Sequence, residues 1–274
     1  MKGNWLNKTR VLVLAVAMVL VSVGSAFAAS SSTSGDKIYF GYNNKYYLFN
    51  NMWGSKTAGS GYWQTIYINK YYNSNSACNL GWNWNWPAGS STSSVKAYPA
   101  IVYGWHWTSG YGTSTSLPVR LWDNYNVRTS VTYRLNATGT YNAAYDLWFH
   151  NTNLASWGSK PTQEVMIWLN NTNAGPAGSY VETVTIGDTS WKVYKGWITA
   201  NSSTGEGWNV FSFVRSSNTS DTTLNLKNFT DYLVYTKKWM SNSEYLSSVE
   251  FGNEIFWGTG GMYITKYSVS VSKN

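Results

Sequence analysis

The sequence predicts an all-β fold, a two-sheet β-jelly-roll sandwich with one concave face open as a groove and a single short helix. Three observations carry this. Period-two alternation of apolar and polar residues recurs along nearly the whole chain. Turn-forming pairs such as Gly187-Asp188 separate the runs. Only one segment switches to helical spacing, and about a dozen strands with one helix suit two packed sheets.

The elements follow in order. Lys37–Phe40 and Lys45–Phe49 flank Asn43-Asn44 and read as a hairpin. Further strands are expected at 61–72, 81–86, 95–104, 127–137, 141–150, 164–170, 180–186, 190–198, 207–215, 246–256 and 262–272. Phe229, Tyr232, Leu233, Thr236 and Trp239 fall on one face of a short amphipathic helix, with Asn228 as its expected cap. Asp231 would then lie in the first turn, where a carboxylate suits the helix dipole.

The first 28 residues have the build of a secretory signal. Lys2, Lys8 and Arg10 precede an apolar run over 11–23, and Ala26 and Ala28 supply small residues for cleavage after Ala28. That run is too short for a comfortable membrane span, and polar residues follow at once. Residues 29–35 read as a short polar linker and 36–274 as one domain, because no repeat, hinge or shift in composition interrupts them. A secreted, extracellular, monomeric protein is expected, with no membrane attachment after cleavage.

Composition narrows the function. Without the three basic residues of the signal, seventeen basic residues face twelve acidic ones. No Lys/Arg cluster accompanies that mild excess, so nucleic acid is not expected as a partner. Two histidines and one cysteine, Cys78, do not make an ordinary zinc site or an internal disulfide. Cys78 reads as a structural thiol. HExxH, P-loop and GxSxG patterns are missing, so neither metal nor cofactor is expected. Against this stand 17 tryptophans and 22 tyrosines, with charged residues only 12% of the chain. Many of these rings serve strand cores. Tryptophans beside glycine and asparagine, in Asn51–Gly54 and Gly104–Trp107, suit the stacking of sugar rings instead.

Only a few carboxylates fall in strongly patterned strands. Alternation in 163–170 sets Val165, Ile167 and Leu169 on one face and Glu164, Met166, Trp168 and Asn170 on the other. In 141–150, Asp146 shares a face with Trp148 and His150. In 249–256, simple alternation groups Glu250, Gly252 and Glu254, with Gly252 allowing a ligand or backbone to approach closely. Asp123, Asp188, Glu206, Asp221 and Glu244 read as solvated loop charges, and Glu182 as an outer-face charge. Acids on aromatic-lined strand faces are what glycoside hydrolysis requires, since one carboxyl must be protonated and another ionised across the scissile bond.

The segments Phe49–Gly54, Tyr145–Trp148, Glu164–Trp168 and Phe251–Phe256, supported by Lys96–Pro99, Gly104–Trp107, Gly175–Gly178 and Gly207–Phe213, together resemble glycoside hydrolase family 12. These are small β-jelly-roll endoglucanases and xyloglucanases, and the resemblance spans residues 38–272. It implies a retaining mechanism with Glu164 as nucleophile, Glu254 as general acid/base and Asp146 supporting the nucleophile. It also implies sugar contacts at Asn51, Trp53, Asn142, Met166, Trp168 and Pro176. Glu250 is the reserve acid, in a supporting role. Asn253 stands where the family commonly has threonine. The expected function is endo-hydrolysis of β-1,4-glucans, xyloglucan among them. The competing readings are a non-catalytic carbohydrate-binding module or lectin, and a xylanase on a related jelly roll.

Overall fold

The structure, a computed structural model, describes residues 26–27, 31–33, 35–107, 112–113, 116–154 and 159–273. Most of the expected signal segment lies outside the described residues. Short strands β1 (Ala26–Phe27) and β2 (Ser31–Thr33) pair with β5 (Trp63–Tyr72), so part of the stretch expected as linker joins a sheet edge. The other strands are β3 (Lys37–Phe40), β4 (Tyr46–Phe49), β6 (Ala77–Trp86), β7 (Ala100–Gly104), β8 (Val119–Arg120), β9 (Tyr125–His150), β10 (Gln163–Thr172), β11 (Ser179–Ile186), β12 (Thr189–Asn201), β13 (Glu206–Arg215), β14 (Asp221–Asn225), β15 (Tyr245–Gly252) and β16 (Ile255–Lys273).

The pairing resolves into two layers joined by β9. Its first half pairs with β16 and β14, and β16 continues to β6 and β5 as the outer sheet. Its second half pairs with β15 and β10 in the inner sheet, which extends through β7, β4 and β3 on one side and β13, β12 and β11 on the other. The 127–137 and 141–150 runs are therefore one continuous strand that changes sheets. Gly139 sits at the crossing with φ 111°, and an added Cβ would lie 2.2 Å from the Trp257 carbonyl oxygen. Only glycine suits that backbone and that approach.

Alternation sorts the side chains as the sequence suggests. Cys78, Leu80, Trp82, Trp84 and Trp86 of β6 point into the space between the sheets, where Tyr145, Leu147, Val165, Ile167 and Phe251 meet them. Such burial, at roughly 25 cal/mol per Å² of apolar surface, is the main force holding the layers together. Cys78 is buried, and its thiol donates to the Ile264 carbonyl at 3.4 Å.

The helical segment differs from expectation. Helix α1 (Lys227–Asp231) passes into a π-turn over Tyr232–Thr236. Leu226 occupies the cap position without a side-chain cap bond, and Asn228 lies inside the helix. Asp231 closes α1 rather than opening it and pairs with Lys227 one turn back. The apolar face nevertheless packs as its spacing dictates. Phe229 meets Trp191 and Phe213 at 5.1 Å each, covering β12 and β13 beside the outer sheet's β14 edge.

Two further runs are shorter than their pattern. Val95–Pro99 stays outside β7, with only an isolated bridge from Ala97 to Ile255. Proline has no N–H for a ladder, which suits the start of β7 just after Pro99. The 246–256 run breaks at Asn253 and Glu254, between β15 and β16. Gly252 marks the break, where a Cβ would lie 2.4 Å from the Pro99 carbonyl oxygen. Its close approach is thus to backbone.

Candidate active site

The second face of the inner sheet forms an open groove of about 580 Å³. Glu164, Met166 and Trp168 of β10 line it, with Asp146 and Trp148 of β9, Trp208 and Val210 of β13, and Glu254. The β9–β10 register puts Glu164 opposite Trp148 and Met166 opposite Asp146. Glu164 and Asp146 are thus diagonal neighbours on one face. Asn51 and Trp53 reach the groove from the segment after β4, and Trp53 is 66% exposed. Gly175 and Ala177 line it too, while Pro176 between them does not.

Glu164 accepts a hydrogen bond from the Trp208 indole at 2.6 Å. That tryptophan belongs to a cluster in which Trp107, Trp148 and Trp208 pack with centroids 5.4 to 5.9 Å apart. Burial pushes the Glu164 carboxyl up to about 7; the Trp208 bond opposes the shift, and the Glu250 charge adds to it. Glu254 is pushed further, to about 8, first by burial and then by the charge of Glu164, with Asn142 opposing. Asp146 is raised well above the usual carboxylate range, by burial first and then by Glu164, Glu250 and Glu254. Asp146 thus feels Glu164 as a nearby charge, and a hydrogen bond with the Trp148 side chain opposes the rise.

Asn142 does not line the groove. It is fully buried behind the groove wall. Its amide donates to Glu254 Oε2 at 2.5 Å, and its Oδ1 accepts from the Glu254 backbone N–H at 2.8 Å. Asn142 therefore holds the acid in place, a role that strand alternation does not reveal.

Glu250 also differs from a groove acid. It is fully buried, opposite Asp146 across the β15–β9 ladder, and bonded to His106 Nδ1 at 2.8 Å and the Ser248 hydroxyl at 2.9 Å. Of the Gly104–Trp107 segment, Trp107 lines the groove and Trp105 stacks on buried His150 at 4.6 Å. His150 hydrogen-bonds Ser247 rather than facing the groove. Glu244 is no solvated loop charge: it is buried and accepts from the Gln163 amide at 3.0 Å. Glu182 and Glu206 are surface acids as expected, paired with Lys237 and Lys160.

Two carboxyls with raised proton affinities, in one aromatic-lined groove, can divide the work of acid and anion. The model of glycosyl hydrolase family 12 matches residues 44–272. The chain belongs to that family. It is a glycoside hydrolase, and the jelly-roll sandwich above is the family's architecture. Endoglucanase S of Pectobacterium parmentieri is 57% identical over 96% of this chain and 95% of its own. Xyloglucan-specific endo-beta-1,4-glucanase A of Emericella nidulans is 35% identical over 82% of this chain and 85% of its own. The solved family 12 xyloglucanase from Bacillus licheniformis is 59% identical, covering 89% of this chain and all of that one with a TM-score of 0.79.

Sequence reasoning missed Trp208 and His106 as participants and gave Asn142 a different role. Trp208 shares the Glu164 face through the parallel β10–β13 ladder, two residues from Val210, the partner of Glu164. Its alternation was readable, but the pairing of strands far apart in sequence was not. Asn142 and His106 depend on contacts across more than a hundred residues, which no local pattern encodes.

Proposed function

We propose that this family 12 enzyme is a secreted, retaining endo-β-1,4-glucanase that cuts soluble glucans, xyloglucan among them. The observation carrying it is the pair Glu164 and Glu254 in an open groove lined by Trp53, Trp107, Trp148, Trp168 and Trp208. Glu164 attacks the anomeric carbon as Glu254 protonates the departing glycosidic oxygen. Glu254 then takes a proton from water, which releases the glycosyl-enzyme. Burial raises the proton affinity of both carboxyls, while the Trp208 indole favours the ionised form of Glu164 and the charge of Glu164 favours the protonated form of Glu254. Asp146, whose proton affinity is raised by burial and then by the neighbouring carboxylates, tunes the nucleophile through its proximity.

No lysine or arginine is among the described residues lining the groove, which supports a neutral polysaccharide over an acidic one. Exposed Trp53 and the neighbouring Asn51 offer a ring and an amide to an unbranched glucose face. Openness along the groove supports internal cuts and leaves room for side branches. Names of the relatives, endoglucanase and xyloglucanase, agree with this substrate class. The apolar run and Ala-Phe-Ala site at the N-terminus support export.

Reducing-sugar release from xyloglucan, barley β-glucan, carboxymethylcellulose and xylan tests the substrate. Soluble glucans should lose viscosity much faster than reducing ends appear. NMR of the first product should show the β anomer. An inverted product overturns retention, and steady viscosity with cellobiose as sole early product overturns endo-action.

A further inference from the structure

We infer that Asn253 is a positioning residue for the acid/base Glu254 and that Trp82, from the outer sheet, holds Asn253 in register. This deepens the proposed function and rests on the acid/base role given there to Glu254.

Asn253 and Glu254 are the two residues between β15 and β16. A dipeptide outside the ladder lacks regular pairing to fix its direction, so other bonds must do so. Asn253 is fully buried and uses both ends of its amide. Its Oδ1 accepts from the Trp82 indole at 2.9 Å, and its Nδ2 donates to the backbone carbonyl of Asn142. Asn142 in turn grips Glu254 through its side chain and donates its own backbone N–H to the Glu254 carbonyl at 3.1 Å. A chain of bonds thus runs from the core tryptophan of β6, through Asn253 and Asn142, to the carboxyl that donates the proton.

The geometry dictates what its loss does. Without the Asn253 amide, the Asn142 carbonyl and the Trp82 N–H are both left buried without this partner. Asn142 then loses one of the bonds that fix its backbone, and the Glu254 carboxyl loses its aim. Proton donation matters most when the departing oxygen is a poor leaving group. The defect should therefore depend on the leaving group, whereas a general loosening of the fold would slow every substrate alike.

The experiment measures kcat/KM for Asn253→Leu on soluble β-glucan and on aryl β-cellobiosides of graded leaving-group acidity. Melting temperature and far-UV circular dichroism are recorded beside it. The expected result is a loss of about ten- to a hundredfold on β-glucan, threefold or less on the dinitrophenyl cellobioside, and a steeper dependence on leaving-group pKa. Asn253→Thr, whose hydroxyl both accepts and donates, should recover most of the loss. It also serves as the folded probe if the leucine variant does not fold. Trp82→Phe should show the same split to a smaller extent. Equal losses on all substrates, or wild-type rates throughout, overturn the inference. Glu254→Gln separates the two ideas: wild-type rates there sink the acid/base reading itself. A leaving-group split there without one in the Asn253 variants sinks only the positioning role.

Discussion

Strand β10 carries two chemistries on one backbone. Val165, Ile167 and Leu169 belong to the apolar cluster of the sandwich interior, and each is fully buried. Glu164, Met166 and Trp168 face the groove, beside Asp146 and Trp148. On this side burial raises the proton affinities of Glu164, Glu254 and Asp146. Desolvating a carboxylate is unfavourable, so this face works against stability at a pH where its acids ionise, whereas the apolar face supports it. The lesson is that the core face holds the sheet rigid and the groove face uses that rigidity to keep carboxyls where water would not leave them neutral.

The largest effect should come from the groove face. Glu164→Gln removes the proposed nucleophile and should cut turnover on β-glucan by about 10⁴-fold or more. Circular dichroism should stay native, because the amide keeps the shape and relieves a buried charge. One turn of the pleat away, Ile167→Ala should do the reverse. It should cost about 2–5 kcal/mol in denaturant unfolding while kcat of the folded fraction stays close to wild type. If Ile167→Ala destroys kcat at temperatures where the protein is folded, the two faces are not separable as described.

Stability against pH sharpens the same contrast. Glu164 and Glu254 ionise near 4.5 when unfolded but only near 7 and 8 in the folded groove. Between those values the folded state holds more protons, so stability falls as pH rises. Glu182 and Glu206 on the surface have lowered affinities through Lys237 and Lys160, and their contribution is lost instead as pH falls through the folded pKa. Glu254→Gln should therefore stabilise the protein by about 1–3 kcal/mol at pH 8 and by little at pH 4, read as melting temperature across that range. A variant no more stable at pH 8 than wild type would mean that Glu254 is not desolvated in solution.

How much of this was legible follows from the same distinction. The parity of Glu164, Met166 and Trp168 against Val165, Ile167 and Leu169 is a local property of one strand, and alternation read it directly. So did the apolar face of Phe229 and Leu233, although the cap at Asn228 did not form. Glu254 was found by a different route. Alternation grouped it with Glu250, but the break after Gly252 turns Glu254 into the groove and leaves Glu250 buried beneath it. The motif shared with the family carried the assignment where the pattern could not. Glu244 was misread because it is buried with Gln163, eighty-one residues away, as its hydrogen-bond donor, and neighbours in sequence say nothing of that bond.

The smallest predicted effect concerns the bond between Trp208 and Glu164. The indole stands 2.6 Å from the carboxylate and donates, which favours the charged form and opposes the rise due to burial. Trp208→Phe keeps a ring against Trp107 and Trp148 and deletes the N–H. The nucleophile must then bind its proton more tightly, so the acidic limb of kcat/KM should move to higher pH. A hydrogen bond to a charged group is worth about 1.5–3 kcal/mol, equivalent to a shift on the order of one pH unit. At pH values above the shifted limb, turnover should fall only a few-fold, because the nucleophile is ionised again and the remaining loss is in orientation. Melting temperature should change little, since the cluster keeps its ring. The alkaline limb, which belongs to Glu254, should stay where it is or move slightly. If the acidic limb does not move while kcat falls equally at every pH, Trp208 acts as a sugar platform alone, and the proton affinity of Glu164 is set by burial and its acidic neighbours.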